Sequence, residues 1–139
     1  MVFKYFLDSD IILDYFLKRT PFNVAARQIF QLAYNNIIEV ATSSLAISNI
    51  HYVSKKQIGG QESLKLIEDF IKLCKILAVS EVEIHSAIKS NFADFEDCIQ
   101  NFTAKSDPNI KGIITRNVRD YKNSALPVYS PDSFLALIK

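Results

Sequence analysis

Phe3-Lys4-Tyr5-Phe6-Leu7-Asp8-Ser9-Asp10 is a short, mostly apolar run that stops abruptly at two acids flanking a serine. A run of this length closed by polar residues reads as a buried strand. Beyond Asp10 the chain switches to helical spacing: Ile11 to Phe16 forms a short helix with Asp10 as its expected cap, broken by Lys18-Arg19-Thr20-Pro21. The same alternation then repeats. Asn23 is expected to cap a helix to about Tyr34, Asn35-Asn36 is a turn, and Ile37 to Ala41 is a second strand. Thr42 and Ser43 cap a helix to about Gln57, and Gly59-Gly60 separates it from an amphipathic helix over Glu62 to Cys74.

Lys75 to Val79 reads as a third strand, and Ser80 with Glu83 forms a capping box for a helix over Val82 to Lys89. Asp94 opens a helix to about Ala104, Gly112 to Thr115 is a fourth strand, and a short strand near Pro127 to Tyr129 precedes the Ser130-Pro131 start of the last helix. Strands alternating with helices imply an α/β fold, a parallel sheet covered by helices on both faces. In such sheets ligands bind beyond the carboxyl ends of the strands.

At 139 residues, residues 1–139 are expected to form a single domain. With 49% hydrophobic residues and three glycines the composition argues against disorder. A net charge of +1 excludes a broadly basic nucleic-acid binder, while leaving room for a local basic groove. Cys74 and Cys98 lie far apart in apolar helical surroundings and are expected to be buried, reduced thiols. Met1 to Leu7 is too short for a signal peptide, and no run is long enough to span a bilayer, so the chain is expected to be soluble and cytoplasmic, with no membrane partner.

Acids at the ends of separated strands seldom serve the core, and a carboxylate cluster without Lys or Arg is costly unless it holds a cation. Asp8 closes the first strand, Asp97 and Asp94 share one helix face at i,i+3 spacing, and Asp120 follows the fourth strand. Thr115 and Asn117 can hydrogen-bond a neighbouring carboxylate, and Arg116 and Arg119 can balance acids or touch phosphate. Asp14 is expected to be structural or solvated, and Glu96 to point away from the acids. His51 and His85 lack metal-like spacing, and no glycine-rich phosphate loop is present.

Three stretches together resemble the PIN-domain family, in particular the small bacterial VapC-like toxin ribonucleases. They are Leu7-Asp8-Ser9-Asp10-Ile11-Ile12-Leu13-Asp14, Asp94-Phe95-Glu96-Asp97-Cys98-Ile99-Gln100 and Thr115-Arg116-Asn117-Val118-Arg119-Asp120-Tyr121. The resemblance covers essentially the whole chain. It implies a three-layer α/β/α sandwich around a central parallel sheet. It also implies Mg²⁺- or Mn²⁺-dependent cleavage of RNA, with Asp8, Asp97 and Asp120 as metal ligands and Asp94 as an accessory acid. An antitoxin protein and a second copy of the chain are the implied partners; Tyr15, Phe16 and Phe22 are expected either to pack in the core or to form a docking surface for the antitoxin. One departure stands out. Where the family commonly carries an acid in the helix after the second strand, this chain has Asn49. A PIN-like module that binds RNA or protein without cutting is therefore the rival reading. A phosphatase using Asp8 as nucleophile is a distant third, since Ile11-Ile12 stands where Gly and Thr would be expected.

Overall fold

The computed structural model describes residues 1–138. Five strands alternate with seven helices: β1 (Lys4–Leu7), α1 (Ser9–Phe16), α2 (Phe22–Tyr34), β2 (Glu39–Ser43), α3 (Ser44–Ile58), α4 (Gly60–Phe70), β3 (Cys74–Leu77), α5 (Glu81–Ile88), α6 (Phe95–Lys105), β4 (Ile110–Ile114), β5 (Val128–Tyr129) and α7 (Pro131–Ile138). A 3₁₀ turn, Val118–Tyr121, lies between β4 and β5. Every pairing is parallel and the strand order is β3-β2-β1-β4-β5. The chain thus builds outward from β1 through β3, then returns to the other side of β1. The order reverses between β1 and β4, and a crevice opens at such a reversal.

Strand alternation divides the core into the three expected layers. Tyr5, Leu7 and Val40 face one way and pack with Ile11, Ile12, Ile29, Phe30, Ile50, Ile67 and Phe134 from the helices of that layer. Phe6, Ala41 and Ile113 face the other way, against Ala104 of α6 and Tyr121. α5 closes over α6 through Ala87, Cys98 and Ile99. Both cysteines are buried and free.

Several boundaries moved from the sequence reading for local reasons. Asp8, not Asp10, caps α1: its backbone is extended and its side chain accepts from the Ser9 amide. α2 starts behind Pro21 without a side-chain cap, and the Asn23 carboxamide oxygen is left buried without a partner. Asn36 takes a left-handed conformation (φ 58°), which asparagine tolerates better than most residues, and completes the turn into β2. Gly59 (φ 87°) ends α3 where a side chain would be strained.

The β1–β4 register contains one irregularity. Lys4 pairs with Ile110, but Phe6 pairs with Ile113 and Leu7 with Ile114, so β4 carries one extra residue across this step. Gly112 sits in it, with space for nothing larger: an added Cβ would lie 2.9 Å from both the Pro127 carbonyl oxygen and the Tyr129 ring.

Candidate active site

Asp8 leaves the end of β1 buried, with 4% of its surface exposed. Its Oδ1 accepts from the Ser9 amide at 2.8 Å, and its Oδ2 accepts from the Thr115 hydroxyl at 2.8 Å and the Tyr121 hydroxyl at 3.3 Å. Thr115 reaches it because β4 runs beside β1, with the Asp8 amide donating to the Ile114 carbonyl at 3.0 Å. The Tyr121 hydroxyl also lies 3.5 Å from Asp97 Oδ1. One phenol therefore stands between an acid of β1 and an acid of α6.

Asp97 sits in the first turn of α6, placed there by Asp94. Asp94 is the N-cap, accepting from the Asp97 amide at 2.9 Å. That gives Asp94 a structural task at the rim of the group. Asp120 lies in the 3₁₀ turn after β4, and its charge reaches Asp97. Asn117 donates to Asp10 at 3.4 Å, and its own amide donates to the Thr115 hydroxyl at 3.0 Å. Arg119 is exposed beside this turn.

The electrostatics come from burial without counter-charge. Burial, then the charges of Asp8, Asp94, Asp120 and Glu96, push the Asp97 carboxyl up to about 7. Asp10, pushed by burial and then by Asp8, also rises to about 7 despite Arg116. Burial raises Asp8 as well, although Thr115, the Ser9 amide, Tyr121 and Gln100 favour its charged form. Burial and the acids hold the Tyr121 hydroxyl protonated, so it remains a donor.

Four features were not legible in advance. Arg116 donates to Asp14 through Nε at 2.7 Å and Nη2 at 3.0 Å, and stacks 3.9 Å from the Phe22 ring. Asp14 is accordingly structural and buried rather than solvated. Gln100 is fully buried beside Asp8: its Oε1 accepts a hydrogen bond from the Ser43 hydroxyl, while its Nε2 completes no hydrogen bond. Ser43 is itself the cap of α3, accepting from Ala46 at 2.9 Å. Glu96, expected to point away, instead has its Oε1 2.7 Å from Asn49 Nδ2. Of the expected docking aromatics, Phe16 is buried in the core, whereas Tyr15 and Phe22 are exposed. Tyr15 opens on a groove lined also by Phe30, Tyr34, Leu66 and Phe70. His51 pairs with Ser63 and His85 with Glu81, away from the acids.

The donor set is all oxygen, which suits a hard divalent cation, and an orphan buried Asp10 oxygen adds to it. Among the described residues no three His, Cys, Asp or Glu side chains converge as a ready cage. That is compatible with Mg²⁺, which is usually held through one or two carboxylates while keeping several waters. Asp8 and Asp97, brought together at Tyr121, meet that requirement.

These features define a three-layer α/β/α domain with an acid-lined crevice at the strand-order reversal of its parallel sheet. The chain belongs to the PIN-domain family: the model of the PIN domain matches residues 4–119. The ribonuclease VapC1 of Aquifex aeolicus is 28% identical to it over 109 residues, 75% of each chain. Similar folds occur in the DNA-bound VapBC of Salmonella typhimurium (TM-score 0.69, 16% identity, 94% of this chain and 99% of the other). Another is VapBC-1 of nontypeable Haemophilus influenzae (TM-score 0.67, 20% identity, 93% and 98%). No helix among the described residues is long and apolar enough to cross a membrane.

Proposed function

We propose that this chain is a Mg²⁺- or Mn²⁺-dependent endoribonuclease, acting as the toxin of a toxin–antitoxin pair. The observation that carries the reading is the meeting of Asp8 and Asp97 at the Tyr121 hydroxyl, at the strand-order reversal, with no cation of the protein paired to either among the described residues. The similarity to a ribonuclease over three quarters of the chain points the same way. Asp8, Asp97 and Asp120 would hold the cation. Bound there, it supplies Lewis-acid stabilisation of phosphodiester charge and a more acidic water.

The protein's own residues do the rest. Thr115 and the Ser9 amide fix the Asp8 carboxylate, and Tyr121 sets its orientation relative to Asp97. Asn117 ties the Asp120 turn to Asp10, so that acid moves with the crevice. Arg119 is free to meet an RNA phosphate, whereas Arg116 is held mainly by Asp14. An antitoxin segment would dock along the exposed Tyr15 side, and a second copy of the chain is part of the same reading.

The direct test is RNA cleavage by purified Asp8→Asn and Asp97→Asn proteins with Mn²⁺. Loss of cleavage in folded variants is expected, and full activity in the folded double variant would overturn the assignment. Growth arrest on expression, relieved by a neighbouring gene product, tests the toxin role. The rival reading, an RNA- or protein-binding PIN domain that does not cut, draws on Asn49 and on the lack of a ready three-residue cage among the described residues. Mn²⁺ binding and RNA binding without turnover would favour it.

A further inference from the structure

We propose that Glu96 supplies the acid missing at Asn49, so that the first turn of α6 contributes charge to the cation site that α3 does not. The inference rests on the metal-dependent function proposed for this crevice and names a residue that function did not need.

Asn49 Nδ2 lies 2.7 Å from Glu96 Oε1. An ionised carboxylate only accepts, so the amide must present its nitrogen, and the contact fixes both side chains. The same geometry explains why position 49 is not acidic. A carboxylate there would stand against another at hydrogen-bond distance, and like charges at that separation disfavour each other's ionised form. An acid at either position is compatible with the site; acids at both would repel each other. Asn49 and Glu96 are therefore complementary choices, with the negative charge transferred from one helix to the other.

Glu96 also belongs to the right group. It lies within electrostatic reach of Asp8 and of Asp97. A separate observation marks Asp8 as held for its charged form: the Gln100 side chain is fully buried, has its Oε1 fixed by Ser43, and turns towards Asp8 an Nε2 that completes no bond. A buried donor that completes no bond is costly, and this one faces Asp8, favouring the charged form of the carboxylate that would meet a cation. Because no three acids among the described residues converge as a cage, Glu96 would act on the cation's water shell rather than as one of its closest ligands.

The test is calorimetric titration of the purified full chain with Mn²⁺, without RNA. Glu96→Gln should weaken Mn²⁺ binding by about tenfold or more, with an unchanged near-ultraviolet circular dichroism spectrum. The exchanged protein, Asn49→Glu with Glu96→Gln, should recover to within about threefold of the parent, since it returns the charge from α3. Binding by Glu96→Gln within twofold of the parent, while Asp8→Asn loses it, would overturn the role of Glu96 and leave the metal site standing. Weakened binding that the exchange does not recover would overturn the complementarity. A parent chain that binds no Mn²⁺ would remove both this inference and the function beneath it.

Discussion

At the amino end of the sheet Asp107 is buried against Lys4, 3.1 Å away, with Lys75 at 3.6 Å. At the carboxyl end Asp8 is buried at least as deeply, yet among the described residues neither it nor Asp97 forms an ion pair. The consequences are opposite. Burial pushes Asp107 up, but the Asn109 amide and the two lysines bring it below the usual carboxylate range. Asp97 is driven up to about 7 by burial and by other acids. Both ends hold buried acids in one small domain, so the contrast is not a matter of composition. The acid that serves the fold is given a cation by the fold; on the proposed function, the acids of the crevice would take theirs from solution.

The largest effect should come from removing the unpaired acids. Asp8→Asn or Asp97→Asn should lower RNA cleavage by on the order of 10³-fold, since a catalytic cation supplies several kcal/mol. Asp107→Asn should leave cleavage near the parent rate, and a single-turnover assay separates the two ends.

The next effect is on pH. Asp97 must lose its proton to hold a cation, so at subsaturating Mn²⁺ cleavage should fall as pH drops below about 7, and saturating Mn²⁺ should move that fall to lower pH. Stability of the metal-free protein should run the other way. Between about pH 4 and 7 the folded chain keeps protons on Asp97 and Asp10 that the unfolded chain releases, so this contribution declines as pH rises through that window. Thermal melts of the parent and of Asp97→Asn, with and without Mn²⁺, read this directly: the variant should lose less stability on going to pH 8.

Breaking the paired end should act on stability alone. Lys4→Met leaves Asp107 with only Lys75 and should cost about 1–3 kcal/mol in urea unfolding. The smallest effect is expected at the rim. Arg119→Ala should weaken RNA binding a few-fold and reduce the slope of log affinity against log salt by about one, measured by fluorescence anisotropy.

Much of the fold was legible because each strand is short, apolar and bounded. Asp8 was legible for the same reason, as the residue at which the β1 pattern breaks. Asp97 was legible from its spacing to Asp94, although that spacing turned out to express a cap, with Asp94 holding the Asp97 amide. What the sequence concealed depends on contacts between distant segments. Helical periodicity turns Glu96 away from Asp97, but α3 lies where Asn49 can reach it. Whether Asp14 is structural or solvated was open in the sequence because its partner, Arg116, lies beyond a strand far along the chain. Gln100 and Ser43 carry no charge and no motif, and only burial together makes them matter. Tyr121 reads as an ordinary core aromatic until its hydroxyl is seen between two acids.

The extra residue in β4 has a further consequence for how this protein can vary. Pairing offset by one along β4 is what brings Thr115 level with Asp8, and Gly112 lets the strand pass close under Tyr129 while doing so. A second residue inserted between Ile110 and Ile113, beyond the one that the irregularity already absorbs, would turn every later side chain of the strand to the opposite face. Thr115 would then leave Asp8, and the turn carrying Asp120 and Tyr121 would be displaced, without any acid having changed. Lys111-Gly112 lies outside the acid group, yet its length is under the same constraint as the acids themselves. Among descendants of this chain, insertions should collect in other connections and spare this one.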